Sequence, residues 1–181
     1  MRSSSEVCAL KALDRNIWRS SINTATKIRL YSAYILPVLL YGAETWTMTK
    51  VLSKKIDSFD LWCQHRILRV HCSHYKQSNC EIRNRTGCTP ARPTDIIRCR
   101  RLQLFGHIEM DHCHALRAAI REPPADWKRP QGRPRQIWTR TVENNLKPAN
   151  IALHNAWQRA QDRADWRNFI TTATLHYRAF Y

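Results

Sequence analysis

Glycine is scarce in this chain of 181 residues, which contains only four glycines. The sequence also shows no internal repeat and no low-complexity tract. Its most apolar stretch, 30–43, is shorter than the ~20 residues that a membrane helix needs, and it is interrupted by Pro37. Because the apolar residues recur instead at steps of three and four, the pattern predicts an all-α fold and no membrane-spanning segment.

A secretory signal is also missing, since Met1 and Arg2 are followed by serines and Glu6 and not by an apolar core. The seven cysteines are odd in number and loosely spaced. We therefore expect reduced thiols in an intracellular protein, located in the nucleus or the cytoplasm.

One group of potential metal ligands lacks the close cysteine pair that zinc sites usually contain. Its members are Cys72, His74, Cys80 and Cys88, and no Cys-x2-Cys pair anchors them. Ordinary thiols and a surface imidazole are the favoured interpretation. The sequence thus predicts no metal and no cofactor, with a zinc site at these four residues left as an alternative.

Acidic residues are few relative to basic ones. Lys and Arg number 30 against 14 Asp and Glu, for a formal charge of +16 and a pI near 10.1. Such an excess destabilises a compact chain by self-repulsion unless a polyanion neutralises it, so RNA or DNA is the expected partner. Arg predominates in the basic stretches, and its planar guanidinium grips phosphate through two hydrogen bonds. The residues predicted to contact the nucleic acid are Arg66, Arg69, Arg83, Arg85, Arg98, Arg100, Arg101, Lys128, Arg129, Arg133 and Arg135.

Helix signals predict an irregular bundle of about five to seven helices. Asn23 or Thr24 is a candidate N-cap for a first clear helix, which Pro37 should kink. Thr49 is a candidate N-cap for a second, strongly amphipathic helix, whose apolar positions include Ile56, Phe59, Cys63 and Ile67. These two helices should pair as a hairpin. The tryptophans are mostly core residues by pattern, and one or two exposed members could stack on bases.

The C-terminal part is set apart by four prolines between 122 and 134. The predicted division is a helical region over 1–121, a basic Pro-rich linker over 122–135, and a C-terminal helical pair over 136–181, which makes two small lobes. Trp157 to Phe169 should form one final helix, with Asp162 and Asp165 on its solvated surface. The segment 132–134 resembles an AT-hook, although non-specific phosphate contact is the favoured interpretation of its charges.

Four blocks follow one another along the chain: 31–46 (YSAYILPVLLYGAETW), 101–108 (RLQLFGHI), 128–138 (KRPQGRPRQIW) and 160–167 (AQDRADWR). In sequence and order they resemble the thumb and post-thumb region of LINE-type (non-LTR) retrotransposon reverse transcriptases, which are RNA-directed DNA polymerases. The resemblance implies that the region before residue 122 is thumb-like. In that family the thumb packs on the template–primer duplex.

The chain departs from this family at the catalytic centre. Nucleotidyl transfer in the family depends on palm carboxylates, including a paired Asp-Asp that holds two metal ions. This chain contains no Asp-Asp dipeptide, and it starts where the thumb would begin. The expectation is therefore a fragment without enzymatic activity.

Two hypotheses about function follow. The favoured one is a nucleic-acid-binding fragment of a non-LTR reverse transcriptase that contacts RNA or DNA mainly through phosphates. The alternative is a decayed structural or interaction remnant that associates with another protein through an exposed apolar face.

Overall fold

The computed structural model describes residues 17–70, 78–86, 92–110, 128, 131 and 137–179. Every regular element in these ranges is helical and none is a strand, so the predicted all-α class is confirmed. The chain divides into two compact units. The first unit comprises 1–41 and 51–94, and the second comprises 42–50 and 95–181. Apart from 128 and 131, the predicted linker lies outside the described residues, and the division at 122–135 stays a prediction.

The first unit is built from three helical segments. One begins with α1 (Thr24–Leu30), continues as a π-helical turn (Tyr31–Ile35) and ends with α2 (Leu36–Leu39). The long helix α3 (Lys50–Leu68) follows, and α4 (Asn79–Thr86) completes the set. α3 begins directly after Thr49, where the sequence predicts its start.

The first helical segment shows how the chain accommodates a proline. Asn23 caps α1, since its side-chain oxygen accepts a hydrogen bond from the Ala25 amide at 3.2 Å. Pro37 has no amide hydrogen, and its ring crowds the carbonyl group four residues earlier. The π-helical turn lies just before it, and there the Leu36 amide bonds to the Tyr31 carbonyl, five residues back. The effect of Pro37 is therefore a local widening of the helix.

A buried carboxylate joins the three helical segments of the first unit. Asp60 of α3 is only 5% exposed, and it accepts hydrogen bonds from the Tyr31 hydroxyl at 2.6 Å and the Gln64 amide at 2.9 Å. The Arg83 guanidinium of α4 lies 3.5 Å from the same carboxylate. A buried charge with this many partners avoids most of the cost of leaving water. The predicted pairing of the first helix with α3 is confirmed here and by a shared core of Trp18, Tyr31, Ile35, Cys63 and Ile67.

The second unit contains α5 (Pro93–Met110, from residue 95 onward), α6 (Trp138–Leu146), α7 (Leu153–Arg159) and α8 (Arg163–Ala179). All four contribute to one apolar core. Its buried members are Leu102, Phe105, Val142, Leu146, Ala156, Ala160, Trp166, Phe169, Ile170 and Ala173.

The prediction of one final helix is wrong, because the chain breaks between α7 and α8. The Asp162 carboxylate accepts hydrogen bonds from the amides of Ala164 at 2.8 Å and Asp165 at 3.2 Å, so it caps the start of α8. Asp165 in turn binds back to Arg159 at the end of α7, through contacts of 2.7 and 2.8 Å. In place of the helical pair predicted over 136–181, the described residues 137–179 hold three α-helices.

α5 and α8 meet at a glycine. A Cβ atom at Gly106 would approach two atoms of the Trp166 indole far more closely than van der Waals contact allows. The indole nitrogen donates to the Leu102 carbonyl at 2.9 Å, and the ring packs on Phe105 and Phe169 at centroid distances of 5.5 and 5.1 Å. Only a residue without a side chain leaves room for this contact.

The segment 42–50 is held within the second unit by side chains from two helices. Gly42 has a left-handed φ of 63° and begins a short 3₁₀ turn, Ala43–Thr45. The Trp138 indole donates to the Glu44 carbonyl at 2.8 Å, and the Arg101 guanidinium donates to the Trp46 carbonyl at 3.0 Å. No helical hydrogen bond is made to these two carbonyls, so the side chains of Trp138 and Arg101 satisfy them instead.

Gly106→Ala should destabilise the second unit by about 1–3 kcal/mol, because the new methyl group overlaps the indole. Thermal or urea unfolding of the full chain measures the loss. In an exposed helical position the same change would be stabilising. The cost should shrink when Trp166→Ala is combined with it, since the clashing ring is then gone. An additive double variant would contradict the proposed clash.

Acid should weaken the junction of α7 and α8. Hydrogen bonds from Arg159 hold the pKa of Asp165 below its ordinary value of 3.8. The pair therefore stabilises the fold above pH 3.8, and that contribution is lost as the pH falls through the lowered pKa. The melting temperature of Asp165→Asn should lie slightly below wild type at neutral pH and converge with it in strong acid. A constant difference at every pH would argue against this role.

Candidate nucleic-acid interface

The charges of α3 are segregated between its inner and outer sides. Its two carboxylates face inward, since Asp60 is buried and Asp57 accepts hydrogen bonds from the Thr94 hydroxyl at 3.0 and 3.1 Å. Burial raises the pKa of Asp57. The outer side carries cations together with one exposed aromatic ring. We call it the cationic face of α3, and it consists of Lys54, Lys55, Trp62, Arg66 and Arg69.

Helical spacing places most of these residues in one line. Lys55, Trp62, Arg66 and Arg69 follow one another at steps of seven, four and three, which return to the same side of a helix. Lys54, Lys55 and Arg69 are exposed and Arg66 is half-buried. A row of cations with no exposed carboxylate among the α3 residues makes this side strongly electropositive.

Trp62 lies at the centre of the cationic face. It is 39% exposed, whereas the other tryptophans of the described residues are buried or half-buried. The Arg66 guanidinium carbon lies 5.6 Å from its ring centroid, and the Phe59 ring lies 6.0 Å away, tilted by 32°. These neighbours, one turn away on either side, orient the indole.

Arg69 also has a structural role. It stands just beyond α3 with a left-handed φ of 56°, and its guanidinium donates to the carbonyls of Arg19 and, at 2.6 Å, Ser20. Buried Lys27 donates to the carbonyls of Trp18 at 3.0 Å and Ser20 at 2.9 Å. Burial lowers the pKa of Lys27, with the nearby Arg69 charge as the second cause. Substitution of Arg69 would therefore disturb the fold as well as any phosphate contact.

The two predicted arginines of α4 differ in position. Arg83 lies against Asp60, and its side chain is only 16% exposed. Arg85 is exposed. The first thus belongs to the buried network of the first unit, whereas the second lies at the surface.

The three predicted arginines of α5 differ still more. Arg100 is exposed, and Arg98 lies 3.5 Å from Asp95, one turn earlier. Arg101 is 1% exposed, so its guanidinium cannot reach a phosphate, and we remove it from the predicted interface. It binds the Trp46 carbonyl instead, and burial, with the Arg98 charge as the second cause, lowers the pKa of Arg101 to about 10. The sequence shows three arginines close together in α5, and only the packing of the helix shows that Arg101 is the buried one.

The remaining predicted residues are mostly outside the described ranges. Lys128 is exposed. Arg129, Arg133 and Arg135 lie outside the described residues, as do Cys72, His74 and Cys88 of the alternative zinc site. Within the described part of the chain, no group of three or more potential metal ligands occurs.

The buried Cys63 thiol is unlike a reactive cysteine. It is 1% exposed, and burial together with the charge of Asp60 raises its pKa. A thiol held protonated in this way is a poor nucleophile. Among the described helices, none is long and apolar enough to cross a membrane.

Sequence reasoning leaves Lys54 and Lys55 out of the predicted contacts, although both lie on the polar side of the α3 pattern. The signal that could have found them is the pattern itself. Once Ile56, Cys63 and Ile67 are assigned to the core, the opposite side of the helix must face solvent.

Comparison with known proteins gives a relative of transposon origin. The chain is 23% identical over 167 residues to an uncharacterized transposon-derived protein of Caenorhabditis elegans. The aligned region covers 90% of this chain and 60% of that relative, so the chain spans less than two thirds of its length. No family model matches the chain, and no solved structure matches it. This similarity supports a transposon-related origin.

Proposed function

We propose that this chain is a nucleic-acid-binding fragment derived from a LINE-type non-LTR retrotransposon reverse transcriptase, and that it acts inside the cell, in the nucleus or the cytoplasm. The observation that carries the proposal is the charge segregation of α3. Both carboxylates of that helix are turned into the fold, and the cations Lys54, Lys55 and Arg69 of its cationic face stay exposed. Phosphates are the partners that such a face attracts most strongly.

The finer family assignment is supported by the contacts within the second unit. The Glu44 and Trp46 carbonyls belong to the block 31–46. They accept hydrogen bonds from Trp138 of the block 128–138 and from Arg101 of the block 101–108. Gly106 of the block 101–108 contacts Trp166 of the block 160–167. Residues that carry the resemblance thus hold one another in place, as expected if the blocks share one ancestral fold.

The proposed role is binding without polymerase chemistry. Two-metal nucleotidyl transfer needs clustered carboxylates, and this chain has no Asp-Asp pair. Further proposed phosphate contacts are Arg85 in the first unit and, separately, Arg98, Arg100 and Lys128 in the second. Arg129, Arg133 and Arg135 would extend them beyond the described residues.

A second candidate function, association with another protein, is favoured by an exposed apolar stripe in the first unit. Tyr34, Val38 and Tyr41 are 65%, 60% and 74% exposed, and they recur at steps of four and three. Tyr34 lies in the π-helical turn, Val38 in α2 and Tyr41 just after its end, so the three are close neighbours along one segment. Exposed apolar surface of this kind is typical of an interaction face.

Reversing one charge on the cationic face should weaken binding more than the same change elsewhere. We expect Lys55→Glu to lower affinity for RNA and DNA. For each phosphate that is no longer neutralised, the slope of log K against log salt should fall by about 0.9 with duplex DNA and about 0.7 with a single strand. Fluorescence anisotropy across a salt series measures both. Lys147→Glu is the matched control, because Lys147 is exposed on a short turn of the second unit. Equal effects of the two variants, or binding independent of salt, would contradict the proposal.

The protein-association candidate predicts self-association or capture of a partner through the stripe. Light scattering of the full chain should then show species larger than a monomer, and Val38→Glu should convert them to monomer. Thr172→Glu, at an exposed position of α8, is the control. A wild-type chain that is monomeric at all concentrations would contradict the self-association form of this candidate.

A further inference from the structure

We infer that Trp62 is a stacking platform for an unpaired base, and that the cationic face of α3 therefore prefers single-stranded RNA or DNA to a duplex. This inference rests on the proposed nucleic-acid-binding function and goes further by naming the class of nucleic acid.

The first observation is that the fold leaves the Trp62 indole open while it uses other described tryptophans in its interior. Trp18 and Trp166 are 1% and 2% exposed. Trp138 is bound to the Glu44 carbonyl, and Trp157 packs on Phe105 at a centroid distance of 4.1 Å. Trp62 is 39% exposed in the middle of a row of cations.

The second observation is that the indole is oriented before any ligand arrives. Phe59 lies one turn before it, and the Arg66 guanidinium lies over its ring at 5.6 Å. Contact with both neighbours restrains the ring, so it loses little conformational freedom on stacking. Arg66 also brings its positive charge within reach of the phosphates on either side of a stacked base.

The third observation is the line of charge on both sides of the ring. Lys55 lies two turns before Trp62, and Arg69 two turns after it. At a rise of 1.5 Å per residue, the line from Lys55 to Arg69 is about 21 Å long. A strand of several nucleotides can follow it and contact a cation on each side of the stacked base.

A duplex cannot use this arrangement fully. Its bases are paired and stacked on one another, so their faces are closed to a side chain. Bases of a single strand can be splayed out and stacked on an aromatic ring. A duplex would still contact Lys55 and Arg69 through its phosphates, so the indole contributes selectivity and the cations contribute general affinity.

The test compares variants of the full chain by fluorescence anisotropy with labelled oligo(U), oligo(dT) and a blunt duplex of the same length. Trp62→Ala should weaken binding of the two single strands about tenfold, and it should change duplex affinity less than about twofold. Trp62→Phe should keep most of the single-strand affinity, because the ring is retained. Ser58→Ala, at an exposed position one turn away, should change nothing. Indole emission should fall on single-strand binding in wild type and fall less in Trp62→Phe.

The outcomes separate this inference from the function on which it rests. If Lys55→Glu weakens all three ligands and Trp62→Ala weakens none, the stacking role is overturned and the binding function stands. Equal losses for single strands and duplex in Trp62→Ala also overturn it. Wild type that binds no probe at low salt overturns both. Trp62 is not a member of the first unit's core cluster, so Trp62→Ala should keep the cooperative melting transition of wild type.

Discussion

The absence of a side chain at Gly106 is the constraint on which the second unit depends. Because no Cβ is present, the Trp166 indole can lie against α5 and donate to the Leu102 carbonyl at 2.9 Å. That position lets the indole contact two phenylalanine rings at once. A methyl group at 106 would push the indole away and open the core that the helices of this unit share.

In the first unit a buried carboxylate plays the corresponding part, and it connects stability to function. Asp60 binds Tyr31, Gln64 and Arg83, which belong to three different helical segments. Turning this acid inward organises the core, and it also removes a negative charge from the outside of α3. The electropositive face is thus a consequence of how the interior is satisfied.

Part of the fold and of the site could be predicted from sequence, and the errors have a physical pattern. The cap at Asn23, the start of α3 after Thr49 and the all-α class follow from local signals. The break at Asp162 escapes prediction because the apolar spacing continues across it, and a capping carboxylate resembles an ordinary surface charge. The prediction that Arg101 contacts phosphate used only the charge of the residue. Its burial depends on neighbours that are distant in the chain.

The sequence by itself determined the helical class, the excess positive charge and the amphipathic side of α3, since these depend on residue type and on spacing within one helix. Only the tertiary structure decided which arginines are exposed, which tryptophan stays open and why Gly106 stands where it does. Those properties come from contacts between segments as much as 94 residues apart, such as Trp138 with Glu44. Spacing along one helix carries no information about what another helix will place against it.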